Sequence, residues 1–166
     1  MEGSCAKRAY TARKTQDPPD RAIAERALAR HGVVCGCDLR ELGLSESATR
    51  TRVATGRLHR VQRGVFAVGH AVLTQHGRFT AAVLACGPDA CASHYCSGVL
   101  WHLGLGMHRL IDVTAPGSRG RARKGIRVHS AARLAPHDVI VIENIPCTSL
   151  ARVTAPRPTS SIATSA

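Results

Sequence analysis

The sequence predicts an α+β protein built from two small units. Residues 39–68 combine helical segments with short β-prone segments, and three further β-prone segments follow in the second half of the chain. The chain has 166 residues, of which 44% are hydrophobic, so it can bury a core. Residues 1–17 and 153–166 carry few regularly spaced apolar side chains, and we expect both ends to be disordered.

The charge balance favours a polyanionic partner. Lys and Arg number 23 against 11 Asp and Glu, which gives a net charge of +12 and a pI near 10.5. A solvated basic surface is the alternative, and charge alone does not decide between them. No apolar run approaches the roughly 20 residues that span a bilayer, and the N-terminus lacks the apolar stretch of a signal peptide. The seven cysteines lie mostly in apolar stretches, which predicts reduced, buried thiols in a cytoplasmic protein.

The first helix is predicted to follow Pro18 and Pro19. Asp20 is expected to be its N-cap, and Gly32 is expected to end it in the left-handed conformation. Its apolar side chains are Ile23, Ala24, Ala27 and Leu28. Residues 33–34 should form an extended link, and a second helix over about residues 37–42 should stop at Gly43.

A third helix carries the main functional prediction. Ser45 is a good N-cap, Glu46 suits the first turn, and Gly56 should end the helix. Helical spacing turns Ala48, Thr49 and Val53 inward. It places four small or polar side chains on the outer face: Ser47, Arg50, Thr51 and Ala54. This composition suits a helix that enters the major groove of DNA.

Two short strands, at residues 58–61 and 65–68, are predicted after the third helix. Gln62, Arg63 and Gly64 would form the turn between them. Residues 45–64 contain five arginines and one acid, and four arginines are expected to contact the DNA backbone: Arg52, Arg57, Arg60 and Arg63. The order of helix, turn, helix and hairpin predicts a winged helix-turn-helix over residues 18–69. A solvated Arg-rich face is the alternative.

Residues 70–152 are predicted to form a small mixed domain. It would contain helices at residues 74–85 and 93–102, with Trp101 and Leu103 in the core, and strands at residues 110–114, 126–129 and 139–142. The basic segment PGSRGRARKG lies between the first two strands, either as a second backbone contact or as an exposed hairpin tip. Residues 148–152 are predicted to begin a helix, capped by a hydroxyl.

Residues 20–152 resemble the N-terminal part of AbiEi-like antitoxin and transcriptional-regulator proteins. The matching segments are DRAIA (20–24), HGVV (31–34), LGLS (42–45), GRLH (56–59), RGVFAVG (63–69), AVLACGP (82–88), ASH (92–94), LW (100–101), DVTAPG (112–117), GIRVH (125–129) and IPCTS (145–149). Their order and spacing carry the resemblance. It implies a winged helix followed by an α+β domain, and an antitoxin or autorepressor of a toxin–antitoxin operon with double-stranded DNA and a cognate toxin as partners.

The chain departs from the family pattern at several points. Cys35 and Cys37 replace a hydroxyl cap and an ordinary helix residue, and Thr49 replaces a larger aliphatic residue. Many relatives continue into a domain that resembles very-short-patch-repair endonucleases, and the segment after Arg152 does not match that continuation. A truncated, inactive remnant of an endonuclease-like protein, which retains a DNA-tethering or protein-interaction module, is therefore the alternative to a regulator.

Catalysis and cofactors are not expected. The acids after Phe66 lack the paired spacing of a metal-dependent nuclease; they are Asp89, Asp112, Asp138 and Glu143. Two cysteine groups could supply zinc ligands, namely Cys35 with Cys37, and Cys86, Cys91 and Cys96 with His94. Their spacing is not that of paired zinc knuckles, and cysteines on helical stripes are more often small buried hydrophobes. His59, His70 and His129 either contact phosphate or are hydrogen-bonded within the fold.

Overall fold

The computed structural model describes residues 18–106, 109–117, 123–131 and 133–151. It confirms the α+β class, with helices and two β-sheets. The predicted arm, the predicted tail and most of the basic segment after Pro116 lie outside the described residues. Within the described residues, no helix combines the length and the apolar character needed to cross a membrane.

The first half of the chain contains three helices and a three-stranded sheet. The helices are α1 (Pro18–Leu28), α2 (Gly36–Glu41) and α3 (Glu46–Ala54). The strands are β1 (Val33–Cys35), β2 (Leu58–Gln62) and β3 (Val65–Val68), and they pair antiparallel in the order β1-β3-β2. The register between β2 and β3 shifts between Arg60 and Gln62, next to the turn. The predicted extended link at residues 33–34 is therefore a strand, because it pairs with β3.

The second half contains two helices and a five-stranded sheet. The helices are α4 (Gln75–Cys86) and α5 (His94–Leu100). The strands are β4 (Cys91–Ala92), β5 (Ile111–Pro116), β6 (Ile126–Ala131), β7 (Val139–Ile142) and β8 (Ile145–Thr148), in the sheet order β6-β5-β4-β8-β7. A short 3-10 turn (Pro136–Asp138) precedes β7.

One prediction for this half is shifted and another is wrong. The structure places Thr148 in β8, opposite Val139, so the helix predicted to begin at residues 148–152 starts later, with Leu150 and Ala151 helical. The Thr148 carbonyl accepts hydrogen bonds from Ser97 Oγ at 2.7 Å and Trp101 Nε1 at 3.2 Å. Leu103 is 47% exposed rather than in the core, because α5 ends at Leu100 and the chain then turns outward.

The three-stranded sheet is covered on both faces. One face contributes to the N-terminal core, which consists of Ile23, Ala27, Val34, Leu39, Leu44, Leu58 and Phe66. The opposite face contributes Val33, Val65 and the half-buried Val61 to the central core, where they meet Phe79 and Ala82 of α4. Alternation of side chains along each strand produces this division. The apolar packing is therefore continuous across residue 69, where the sequence had predicted a domain boundary.

Helix α4 approaches the first half most closely at Gly77. A Cβ added to Gly77 would lie 2.7 Å from the backbone carbonyl oxygen of His31, in the segment between α1 and β1. Such a contact is shorter than packed carbon and oxygen atoms tolerate, so glycine permits the close approach.

We predict that Gly77→Ala destabilises the protein by about 1–3 kcal/mol, because the methyl group overpacks this contact. The gain in helix propensity, about 1 kcal/mol for Gly to Ala, offsets only part of the loss. The measurement is urea unfolding followed by circular dichroism. Gly106→Ala is the control, since a Cβ there meets no atom within 4 Å. An unchanged or higher stability of Gly77→Ala would contradict the packing described for α4.

Candidate nucleic-acid interface

Helix α3 is the most exposed helix of the N-terminal unit, which consists of α1–α3 and β1–β3 (residues 18–68). The Ser45 side chain caps it, with its hydroxyl oxygen accepting a hydrogen bond from the Ala48 amide at 3.1 Å, and the chain reverses at Gly56 with φ +71°. Both features were predicted. The four residues of the predicted outer face, Ser47, Arg50, Thr51 and Ala54, are all exposed. The predicted inner residues Ala48, Thr49 and Val53 are half-buried, and no residue of α3 is fully buried.

Asp20 holds α3 in place through two ion pairs. Its carboxylate accepts from Arg52 Nε at 2.8 Å and from an Arg57 guanidinium nitrogen at 2.7 Å. The side chains of Asp20 and Arg52 are each only 16% exposed, so solvent screens this pair weakly. The Asp20 side chain thus joins α1 to α3 and to the segment that leads into β2.

This arrangement changes two expectations. Asp20 is not the N-cap of α1, because the helix already begins at Pro18. Arg52 was expected to extend towards phosphate, but its guanidinium is directed to Asp20 and lies mostly buried. Arg57 shares the same carboxylate and remains 54% exposed. Of these two arginines, only Arg57 therefore presents a substantial basic surface to solvent.

Asp38 pairs with the arginines of α1 in a similar way. Its carboxylate oxygens lie 2.9 Å from an Arg26 nitrogen and 2.6 Å from an Arg30 nitrogen. One of these oxygens also accepts the Cys35 amide at 2.8 Å. Asp20 and Asp38 thus occupy four arginines of the N-terminal unit. Within the described part of the chain, Arg50, Arg60 and Arg63 form no ion pair.

The β2–β3 hairpin presents Arg60 and Arg63. Arg63 is exposed in the turn, where Gly64 has φ +74° as the predicted turn requires. The Arg60 guanidinium carbon lies 5.7 Å from the centre of the Phe66 ring, a cation–π distance that leaves its nitrogens available.

The basic segment after Pro116 adjoins this hairpin. Gln62 Nε2 donates a hydrogen bond of 3.0 Å to the Lys124 carbonyl oxygen. Strands β5 and β6 pair in parallel, with Ile111 opposite Ile126 and Pro116 opposite Ala131. The two strands that flank this segment therefore do not form a hairpin with each other, whereas Arg123 forms an antiparallel bridge with Ile126 across the turn at Lys124 and Gly125. This described end of the segment lies beside β2.

A concave surface, which encloses a pocket of about 630 Å³, lies between α2, α3 and the hairpin. Arg40, Arg50 and Arg60 line it from three different elements, and Glu46 is its acidic lining residue. The side chains come together because α2 starts directly after β1, while α3 leads directly into β2. The sequence did not predict the position of Arg40 in this group.

The described cysteines divide into a disulfide-bonded pair and cysteines outside any disulfide. Cys35 and Cys37 form a disulfide, with their Cα atoms 5.2 Å apart, so the prediction of reduced thiols is wrong for these two. The change from extended backbone at Cys35 to helix at Gly36 brings the side chains together. Cys86, Cys91, Cys96 and Cys147 are not in a disulfide. Burial raises the pKa of Cys96 to about 12, and burial also raises the pKa of Cys86 and Cys147.

The structure brings together the first of the two cysteine groups considered as zinc ligands. In the described residues, the potential ligand atoms that approach within 4.8 Å of one another belong to Cys35, Cys37 and Asp38. The disulfide takes both of the sulfurs. Cys86, Cys91 and Cys96 do not form such a group with His94 among the same residues.

A second polar cluster lies on the five-stranded sheet. Asp112 is buried, and its Oδ1 lies 2.8 Å from His129 Nε2 and 3.8 Å from an Arg127 nitrogen. The His129 ring stacks on His94 with 3.9 Å between ring centres. His129 is therefore hydrogen-bonded within the fold, which was one of its two predicted roles, and its bond to Asp112 joins the side chains of β6 and β5.

No protein-family model matches the chain, and no curated protein is significantly similar to it. The resemblance to AbiEi-like regulators consequently remains a prediction from the segments quoted above.

We predict that Asp20→Asn lowers the free energy of unfolding by about 1–3 kcal/mol, because Arg52 then stays mostly buried without a charged partner. Urea unfolding measures the change. Glu25→Gln is the matched control: it breaks an Arg21–Glu25 pair whose side chains are 77% and 65% exposed, and it should cost less than about 0.5 kcal/mol. Equal effects of the two substitutions would show that Asp20 does not anchor α3.

Proposed function

We propose that this protein is a DNA-binding transcriptional regulator of the winged helix type. The observation that carries the proposal is the distribution of ion pairs: Asp20 and Asp38 occupy the arginines behind α3, whereas Arg50, Arg60 and Arg63 form no ion pair in the described residues. Unpaired arginines on adjoining elements favour a polyanion, since each phosphate contact releases counterions.

In the proposed complex, α3 enters the major groove. Its outer face consists of Ser47, Arg50, Thr51 and Ala54, which are short enough to allow close approach to base edges. Arg50 is the side chain suited to a bidentate contact with guanine. The Thr51 hydroxyl donates to the Ser47 carbonyl at 3.1 Å, which leaves its oxygen free to accept a hydrogen bond.

The hairpin supplies the phosphate contacts of the proposed complex. Arg60 and Arg63 would contact the backbone, with the half-exposed Arg57 at the edge of the same surface. Lys124 extends this surface onto the other half of the chain, because its backbone is bonded to Gln62 of β2. Arg52 acts as a positioning residue for α3 rather than as a contact residue.

The regulatory role is proposed from the family resemblance. An antitoxin-like autorepressor would bind its own operator, and a cognate toxin would be its protein partner. The basic net charge supports the DNA part of this proposal but says nothing about the toxin. The coding sequence next to this gene tests the toxin part of the proposal. A neighbouring gene for a nucleotidyltransferase-like toxin supports an antitoxin-like regulator. An out-of-frame nuclease domain downstream supports the alternative, a truncated remnant of an endonuclease-like protein.

We predict that the protein shifts duplex DNA, with an affinity that falls steeply between about 50 and 200 mM salt. Sequencing of genomic DNA retained by the purified protein identifies a preferred duplex, and a scrambled duplex serves for comparison. Mobility-shift titration measures both affinities. A lack of any shift at low salt would refute DNA binding.

We predict different effects for two arginine substitutions. Arg50→Ala should weaken the preferred duplex by about 1–3 kcal/mol and the scrambled duplex much less, because it removes a base contact. Arg63→Ala should weaken both duplexes alike and reduce the salt slope by about 1, because it removes a phosphate contact.

Arg133→Ala is the control for lost charge. Arg133 is exposed beyond Ala131, at the opposite end of β6 from Lys124, so its removal should change affinity by less than about twofold. If Arg50→Ala and Arg63→Ala lose the same affinity on every duplex, then α3 is not the helix that reads the sequence.

A further inference from the structure

The Cys35–Cys37 disulfide lies directly beside the turn of the hairpin. Gly36, between the two cysteines, donates its amide hydrogen to the Gly64 carbonyl oxygen at 2.8 Å. Cys35 itself pairs with Val65 at the end of β1. The disulfide thus links the two neighbours of Gly36, whose amide hydrogen bond connects α2 to the hairpin turn.

The two cysteine residues differ in their exposure to solvent. Cys37 is exposed, whereas Cys35 is 5% exposed. Both residues line the concave surface that also contains Arg40, Arg50 and Arg60. A small thiol can therefore reach Cys37 on the side of the protein that faces DNA in the proposed complex.

Asp38 is placed to stabilise the reduced form. Its Oδ2 lies 3.0 Å from the Cys35 sulfur, and the Asp38 amide donates to that sulfur at 3.2 Å. In the disulfide the sulfur carries no hydrogen, so the short contact between sulfur and carboxylate is not a hydrogen bond. After reduction the Cys35 thiol can donate to the carboxylate, and hydrogen bonds to charged acceptors are the stronger kind.

We infer that Cys35 and Cys37 form a thiol–disulfide exchange site that takes a dithiol reductant and that sets the position of the hairpin. The effect on DNA affinity rests on the proposed function, whereas the exchange itself does not. A disulfide in a surface-accessible position next to a hydrogen-bond acceptor for the released thiol has the features of an exchangeable bond.

The exchange balances in two steps. A thiolate of the reductant attacks the exposed Cys37 sulfur, the Cys35–Cys37 bond breaks, and the electron pair leaves on the Cys35 sulfur, which takes up a proton. The second thiol of the reductant then attacks the mixed disulfide, releases Cys37 and closes a disulfide within the reductant. The protein gains two electrons and two protons, which the reductant loses.

Reduction loosens the connection between α2 and the hairpin. Gly36 then keeps the hydrogen bond of its amide to Gly64 and that of its carbonyl to Arg40 Nε at 3.3 Å, but it loses the covalent link between its two neighbours, and glycine has the widest range of backbone conformations. The hairpin carries Arg63 and Gly64 in its turn, so the phosphate contacts should be less well ordered in the reduced protein. Oxidised protein is therefore expected to bind DNA more tightly.

The first measurement detects the bond. Trypsin releases residues 31–40 as one peptide that contains both cysteines. After alkylation of the full chain with iodoacetamide under denaturing conditions, this peptide should carry no label in air-oxidised protein and two labels after dithiothreitol. Two labels without dithiothreitol would overturn the inference.

The second measurement needs no DNA. Hydrogen exchange of the Gly36 amide, measured by NMR, should be faster in reduced than in oxidised protein by at least about fivefold. Cys37→Ser should exchange at the reduced rate with and without dithiothreitol, while Cys86→Ser, which alters a free thiol elsewhere, should keep the redox difference. Equal protection of Gly36 in both states would overturn the link to the hairpin.

We predict that oxidised protein binds the preferred duplex at least about fivefold more tightly than reduced protein. Cys37→Ser should bind with the reduced affinity under both conditions. If DNA binding is absent while the Gly36 amide responds to reduction, the proposed function fails and the exchange site stands. If DNA binds equally in both states while Gly36 responds, the effect on DNA affinity is refuted.

Discussion

The position of α3 depends on the carboxylate of Asp20. No residue of α3 is fully buried, and Val53 is its apolar contact with the N-terminal core, so polar contacts contribute strongly to its orientation. Asp20 provides them through Arg52 and Arg57, at sites where solvent screens the charges only in part. A single acid in the first turn of α1 thereby determines which face of α3 remains exposed.

The same pairing explains how a strongly basic chain acquires a localised basic surface. Asp20 and Asp38 pair with four arginines of the first half of the chain, Arg26, Arg30, Arg52 and Arg57. Other arginines of the described residues form no ion pair, and Arg133 is one of them. Three of these unpaired arginines, Arg40, Arg50 and Arg60, lie together on one concave surface.

The sequence predicted local structure better than it predicted partners. The cap at Ser45, the reversals at Gly56 and Gly64 and strand β7 follow from neighbouring residues, and they are confirmed. The partner of Arg52 is 32 positions away, and helical spacing contains no information about it. The parallel pairing of β5 with β6 and the identity of β8 likewise depend on sheet order, which no local pattern specifies.

The covering of the three-stranded sheet by α4 has a consequence for how this chain can vary. A unit cut after residue 69 would place Val33, Val61 and Val65 in water, on the face opposite α1. Residues 18–69, which contain the proposed DNA-binding elements, therefore do not form a unit that would keep its fold if moved into another protein alone. Any rearrangement of genes that preserves its fold must carry α4 with it or supply another apolar helix in its place.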